Sequence, residues 1–269
     1  MQDEKSVRVE QDGAVLTVRL NRPQLRNALN DDIRRELQSI FIELEDRSDV
    51  RIVVLSGEGS SFCAGADLNT TSYPPVEGDW SQRRNRAGTW QRLLDLIDRC
   101  PQVTVASMHG HVVGGGALLA TVCDFRVVTD DIVFRIPELA LGIPLTWNGI
   151  PLLAREVGLP VTRDWVMTAR KVFADELSKT GWAQRVSAPE ELGAATQALV
   201  DELLAIPPGP LAMTRSMFSA LSRSDPGMHL GWGDADIQQW TFTEDEYRET
   251  ARAYMKALKP KDSSGPNQD

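Results

Sequence analysis

Three adjacent glycines, Gly114, Gly115 and Gly116, follow the apolar run Val103-Thr-Val-Ala-Ser-Met108 and open the small-residue stretch Ala117-Leu-Leu-Ala120. That order reads as a buried strand, a turn and a helix entered through glycine. Without β-carbons there, a ligand can approach the backbone, and the first N–H groups of a helix have no intrahelical partner. Aided by the helix dipole, those N–H groups favour negative charge as it develops. A second run, Ser61-Phe-Cys-Ala-Gly-Ala-Asp-Leu68, follows an apolar strand in the same way. Two backbone donors from two strand ends would make an oxyanion hole.

Other chemistries fit less well. The glycines lack the G-x-G-x-x-G form and no Gly-Lys-Ser/Thr follows them, which disfavours a dinucleotide site or a P-loop. His109 and His111 flank Gly110 and would share a face two residues apart on a strand. No third ligand lies nearby, so no metal site is expected. Asp67 and Asp124 are suited to accept backbone hydrogen bonds beside the two runs. Glu138 follows Pro137, where an acid in the first turn of a helix is favourable on structural grounds alone. By the same measure Arg22 and Arg26 are surface charges, His229 is too isolated to assign, and the tryptophans form no stripe by spacing and read mostly as packing residues.

The elements that must position these groups alternate. Val7 to Glu10 and Ala14 to Leu20 flank the turn signal Gln11-Asp-Gly13, which predicts a hairpin. After a loop holding Pro23, Asn30 or Asp31 caps a helix to about Leu44, with Ile33, Leu37, Ile40, Phe41 and Leu44 on one face. Val50 to Ser56 reads as a strand buried on both sides. An irregular stretch from Thr70 to Asp79, long enough to act as a lid beside the site, precedes one helix over Trp80 to Arg99. Strands follow at Val103 to Met108 and Phe125 to Thr129; Val133 to Arg135 is expected to extend the sheet, and Ile136 to Gly142 to form a short turn or helix. Beyond Trp147 strand signals nearly vanish, and helices are expected at about 149–157, 161–169, 174–180, 190–205, 209–222 and 228–258, the last one broken. The reading is an α/β core over residues 1–200, a helical C-terminal region over 201–258 and a loose tail over 259–269.

With 42% apolar residues in 269, the chain can bury a large core. A net charge of −9 with no dense Lys/Arg block argues against nucleic acid as a partner. Cys63, Cys100 and Cys123 have neither paired nor metal-like spacing, which fits a reducing, cytoplasmic setting. No apolar run approaches the roughly 20 residues of a membrane span, and no membrane partner is expected.

Asn21-Arg-Pro23 to Asn30, Phe62-Cys-Ala-Gly-Ala-Asp-Leu68, Gly110-His-Val-Val-Gly-Gly-Gly116 through Cys123-Asp124, and Ile136-Pro-Glu138 through Gly142 resemble, in order and spacing, the motifs of the crotonase superfamily, the enoyl-CoA hydratases and isomerases. The resemblance covers about residues 5 to 258. It implies a crotonase-like (ClpP/crotonase) spiral of ββα units forming two sheets, a C-terminal helical trimerisation region, and a homotrimer or homohexamer. It also implies a coenzyme A thioester as substrate, with no permanently bound cofactor. Carried onto this chain, the oxyanion donors are the N–H groups of Ala66 and Gly115, and the acid/base is Glu138. The adenine pocket falls near the backbone of Leu25 to Ala28 and Ala64, and Arg26 can reach a CoA phosphate. Asp67 and Leu68 border the same site. Tyr254 matches an aromatic position that reaches a neighbouring subunit's CoA site; the basic residue expected three positions on is Ala257, leaving Lys256 or Lys259 to substitute.

The chain departs from this pattern at two places. Hydratases of the family hold water between two glutamates, and the first of these positions is Leu118. One carboxylate can still move a proton between two carbons of a dienolate, so Leu118 tilts the reading towards an isomerase. The alternatives are an acyl-CoA binding protein with little hydratase activity, or other enolate chemistry such as decarboxylation or thioester hydrolysis. Past Gly142, where relatives are glycine-rich, this chain has Ile143-Pro-Leu-Thr-Trp-Asn-Gly149, which brings Trp147 and Asn148 to the acyl pocket.

Overall fold

The computed structural model of the protein describes residues 5–68, 78–224 and 231–258. The expected lid falls mostly outside them, as do His229, Lys259 and the tail. The hairpin forms as β1 (Val7–Asp12) and β2 (Val15–Leu20), paired antiparallel. Asn30 then caps α1 (Asp31–Leu44) by accepting the Ile33 N–H at 3.0 Å, which satisfies one donor left open at the helix start. The chain continues through β3 (Ile52–Gly57), α2 (Trp80–Ala87), α3 (Thr89–Arg99), β4 (Val103–Met108), β5 (His111–Val113), α4 (Gly115–Thr121), β6 (Phe125–Thr129) and β7 (Val133–Arg135). A 3-10 turn over Glu138–Leu141 leads to α5 (Gly149–Thr168), β8 (Lys171–Val172), α6 (Ala174–Lys179) and β9 (Arg185–Ser187). Four helices close the described chain: α7 (Leu192–Ala205), α8 (Pro208–Ser224), α9 (Asp234–Thr243) and α10 (Asp245–Leu258).

The larger sheet has the order β1-β2-β3-β4-β6-β9, parallel from β2 onward; the smaller has the order β5-β7-β8. Successive strands therefore divide between sheets: β4 enters the larger and β5 the smaller, and β6 and β7 repeat the step. Cys63 joins the smaller sheet through an isolated bridge to Val112. This repetition is the spiral that the motifs imply.

The central strands β3, β4 and β6 of the larger sheet bury both faces, as their near-continuous apolar runs require. Val53, Leu55, Ala106, Met108 and Val128 face the main core with α1 and α3, whereas Ile52, Val54, Val103, Val105 and Val127 face Leu199, Val200 and Leu203 of α7. Side chains alternate along a strand, so single β-branched segments serve both layers.

Three expectations are corrected. The helix over Trp80 to Arg99 is two helices meeting at Gly88; α2 buries none of its side chains, while α3 buries Trp90, Leu93, Leu94 and Ile97. Val133 to Arg135 does not extend the larger sheet. A turn in which the Ile132 N–H donates to Thr129 O follows β6, and the Val133 N–H donates to Gly110 O at 2.8 Å, which seats β7 beside β5. Beyond Trp147 there are two further strands, β8 and β9, of two and three residues. Segments so short carry no readable alternation. The helices expected at 149–157 and 161–169 meet at Gly158, whose φ of 74° breaks the run.

Candidate functional site

Two loops are drawn together beside the start of α4. Ala64 N–H donates to Arg26 O at 2.9 Å, Leu29 N–H to Gly65 O at 2.8 Å and Asp67 N–H to Leu29 O at 2.8 Å. The last two bonds flank Ala66 as a parallel bridge to Leu29, so the Ala66 N–H points the opposite way. Across from it, Gly114 N–H is held by Arg135 O at 2.9 Å, and Gly115 is the first residue of α4. Among the described residues neither the Ala66 nor the Gly115 N–H has an acceptor. The two backbones touch: a β-carbon built on Gly65 would lie 2.9 Å from Val113 O and 3.8 Å from Gly114 Cα.

The glycine triplet has a second role. A β-carbon on Gly114 would lie 2.7 Å from Glu138 Oε1, one on Gly115 would lie 2.9 Å from Trp147 Cη2, and one on Gly116 would lie 2.6 Å from Cys63 Cβ. The space freed at these positions is filled by the protein's own side chains, not by open access for a ligand. Gly114 also has φ 53° and ψ −122°, a conformation that only glycine adopts without strain. Gly116→Ala is expected to lower stability by about 1–3 kcal/mol through overpacking, measured by urea unfolding. A loss below about 0.5 kcal/mol would show that Cys63 yields freely.

Glu138 enters through the 3-10 turn that follows Pro137. The residue is half-buried, but its Oε2 is fully buried and, among the described residues, has no hydrogen-bond partner. Burial pushes its carboxyl up to about 7, only partly opposed by its own backbone N–H. A carboxylate poised near neutrality suits proton transfer in both directions. In the same chain α10 packs on this turn: Gly142 lies against Thr250 and Tyr247. Tyr254 receives a hydrogen bond from Arg135 Nη1 at 3.3 Å, and the Arg135 guanidinium lies 5.9 Å from its ring centroid.

Leu118 is buried in α4. Its Cδ1 would meet a β-carbon on Gly149 at 3.0 Å, beside Leu145, so Leu118 is part of an apolar wall. Trp147 stacks on Trp90 with centroids 5.0 Å apart and planes 13° apart.

Arg26 is exposed, with φ 48°. Burial first, then the charges of Arg26 and Lys171, hold the His111 imidazole below its usual range, so two cations act on that side chain. Ala28, Ala64 and Leu68 are half-exposed along the same edge.

Two residues escaped the sequence reading. Arg22, taken for a surface charge, is a clamp: its guanidinium donates to Ala28 O at 2.5 Å and pairs with Asp67 Oδ2 at 3.0 Å. That pair joins the two loops, and in it Asp67 accepts from a guanidinium and not from the backbone groups expected of it. Asn27 is fully buried with φ 56°, and its side-chain amide donates to Glu58 O, Ser61 O and Phe62 O. Asparagine's tolerance of the left-handed region was the available signal. Asp124 accepts from both Thr104 N and Oγ1, at 2.8 and 2.9 Å. Among the described residues no cluster of His, Cys, Asp or Glu could hold a metal, and no helix is long and apolar enough to cross a membrane. A separate cavity of about 900 Å³ lies between α5, α7 and α8. Its Arg155 and Arg215 are paired with Asp98, Glu156 and Asp124, and neither Glu138 nor the glycine triplet lines it.

The chain resembles known proteins over nearly its whole length. The family profile described as enoyl-CoA hydratase/isomerase matches residues 10–264. YngF of Bacillus subtilis (strain 168), assigned by name to the enoyl-CoA hydratase/isomerases, is 34% identical over 89% of this chain and 90% of its own. The short-chain-enoyl-CoA hydratase of Clostridium acetobutylicum is 27% identical over 94% and 96%. Among solved structures, a Thermobifida fusca YX protein of the enoyl-CoA hydratase class, crystallised with CoA, superposes with a TM-score of 0.75 at 28% identity, covering 94% of each chain. The ββα spiral, the paired backbone turns at Ala66 and Gly115 and these likenesses converge on one assignment: the chain belongs to the enoyl-CoA hydratase/isomerase family of enzymes.

Proposed function

We propose that this protein acts on an enoyl-CoA thioester by moving a double bond, with one carboxylate, Glu138, as the proton carrier. The N–H groups of Ala66 and Gly115 receive the thioester oxygen as it takes up charge, and the donors are already in place, so little reorganisation accompanies the reaction. Glu138 removes a proton from C2 of a 3-enoyl thioester. The resulting dienolate is held through its oxygen, and Glu138 returns the proton to C4, leaving the 2-enoyl product. Hydration would need a second group to hold and activate water. The observation that carries the isomerase reading is Leu118, which meets the acyl side with an apolar wall beside Gly149 and Leu145.

The coenzyme lies along the edge formed by Ala28, Ala64, Asp67 and Leu68, with Arg26 on a phosphate and Tyr254 reaching the CoA site of a neighbouring subunit. Leu118 and Trp147 line the acyl side. The homotrimer or homohexamer that the family resemblance implies gives a use to the exposed Met213, Met217, Phe218 and Leu221 of α8, an apolar face larger than an isolated chain needs.

The test compares 2-enoyl-CoA hydration with 3-enoyl-CoA isomerisation in deuterated water. Isomerisation should exceed hydration by at least about 10²-fold, the usual contribution of a positioned acid or base. Product formed by a single shuttling carboxylate should retain part of the transferred protium. Hydration as fast as isomerisation would refute the assignment.

A further inference from the structure

Trp147 and Asn148 stand at φ 61° and 60°, the left-handed region that a bulky side chain rarely occupies and that costs stability wherever it is adopted. The surroundings hold this turn in place. The Asn148 N–H donates to Asp234 Oδ2 at 2.6 Å. Gly149 follows directly and packs its bare backbone on Leu118 and Leu145, with a would-be β-carbon only 3.0 and 2.8 Å from them. On the other side the indole lies flat on Trp90. Its benzo edge reaches Gly115, where any β-carbon would collide with it. The strained turn thus fixes one aromatic ring against the backbone that carries a proposed oxyanion donor.

The polar end of that ring is unanswered. Trp147 Nε1 is buried and, among the described residues, has no hydrogen-bond partner, although a buried indole N–H ordinarily finds one. Among the described residues Glu138 Oε2 is another buried side-chain atom of this site in the same state. The carboxylate is accounted for by proton transfer. The indole N–H, across the ring from the edge that touches Gly115, has no part in that chemistry.

We propose that Trp147 determines substrate specificity, its Nε1–H donating to an oxygen carried on the acyl chain, so that the site prefers oxygen-bearing acyl thioesters over plain alkyl ones. The inference rests on the reading of the site as an acyl-CoA site. Its logic is that of a pocket built around a donor: an alkyl group leaves the N–H buried and unpaired, and that penalty becomes selectivity. Leu118 has a corresponding use here, since a leucine in place of the second acid supplies the apolar support on which the turn at Trp147 to Gly149 rests.

The test is equilibrium binding of butyryl-CoA, 3-hydroxybutyryl-CoA, 4-hydroxybutyryl-CoA and succinyl-CoA by calorimetry, with wild type and Trp147→Phe. Wild type should bind at least one oxygenated thioester about tenfold or more tightly than butyryl-CoA, the scale of one buried hydrogen bond. Trp147→Phe keeps an aromatic ring on Trp90 and should lose that preference, the ratio of oxygenated to butyryl-CoA affinity falling to about one, whatever the change in absolute affinity. Equal wild-type affinity across the series overturns the proposal without using the variant, and a preference that survives in Trp147→Phe overturns it as well. Failure of every thioester to bind would instead remove the acyl-CoA reading itself, and this inference with it.

Discussion

Replacing Glu138 with glutamine should reduce turnover of the preferred enoyl-CoA by about 10²–10⁴-fold, the range for loss of a positioned acid/base, while the affinity for CoA thioesters stays within a few-fold. Glutamine keeps the shape of the carboxylate beside Gly114 but cannot exchange a proton. The wild-type rate should also depend on pH in one direction. Burial raises the Glu138 carboxyl to about 7, and the base form is the carboxylate, so kcat/KM should fall about tenfold per unit as pH drops below about 7. A pH-independent rate between 5 and 8, or a Glu138→Gln variant with more than a tenth of wild-type activity, would remove Glu138 from the mechanism.

The same residue makes a prediction about stability whose sign is opposite to that for activity. In the unfolded chain its carboxyl titrates near the ordinary 4.5; in the folded protein it titrates near 7. Below pH 4.5 both states are protonated and the site costs nothing. Between 4.5 and 7 the unfolded chain ionises first, so folded stability falls, and above 7 the loss levels at up to about 3 kcal/mol. Glu138→Gln has no such titration. It should therefore be more stable than wild type at pH 8 and nearly equal to it at pH 4, measured as urea midpoints at the two pH values. Greater activity at the expense of stability is the expected signature of a buried working carboxylate.

Removal of the Arg126 side chain should have the largest effect on folding. Arg126 is 1% exposed. It donates to Thr121 O at 3.1 Å and Cys123 O at 2.6 Å, bonds Trp182 O through Nε, and pairs with Glu156 Oε2 at 2.6 Å. Thr121 ends α4, so the guanidinium satisfies carbonyls that the helix terminus leaves open and places positive charge where the dipole favours it. Arg126→Ala strands those carbonyls in the interior and leaves a void under Trp182, whose ring centroid lies 5.4 Å from the guanidinium carbon. The expected loss is about 3–5 kcal/mol, read as a lower urea midpoint at unchanged m-value. Arg126→Lys should recover little, because one ammonium cannot span all four acceptors. A loss below about 1 kcal/mol for Arg126→Ala would mean that water replaces the guanidinium without strain.

Much of this architecture was legible in local order. The hairpin through Gly13, α1 with its Asn30 cap, and the strands at β3, β4 and β6 follow from turn residues, capping residues and apolar runs that act over a few positions. The four motifs identified the family because their spacing is specific. Other features depended on contacts between distant segments. β8 and β9 are too short to show a period, and they form only because β7 and β6 offer them an edge. The sequence marked Gly114, Gly115 and Gly116 as a place where side chains must be missing, but not what needed the room; tertiary packing assigns it to Glu138, Trp147 and Cys63. Composition could not distinguish Arg22, tied to Ala28 and Asp67, from an exposed arginine.

The division at the site follows the same physical line. From sequence alone came the identity of the groups: a glutamate at 138, a leucine at 118 and a tryptophan at 147. Residue type sets what a group can donate, accept or release. Only the tertiary structure decided the state of those groups, because burial raises Glu138 towards 7 and leaves the Trp147 N–H without a partner among the described residues. Desolvation depends on everything packed around an atom, and that set is assembled from α3, α4, the turn at Glu138 and the start of α5, segments far apart along the chain.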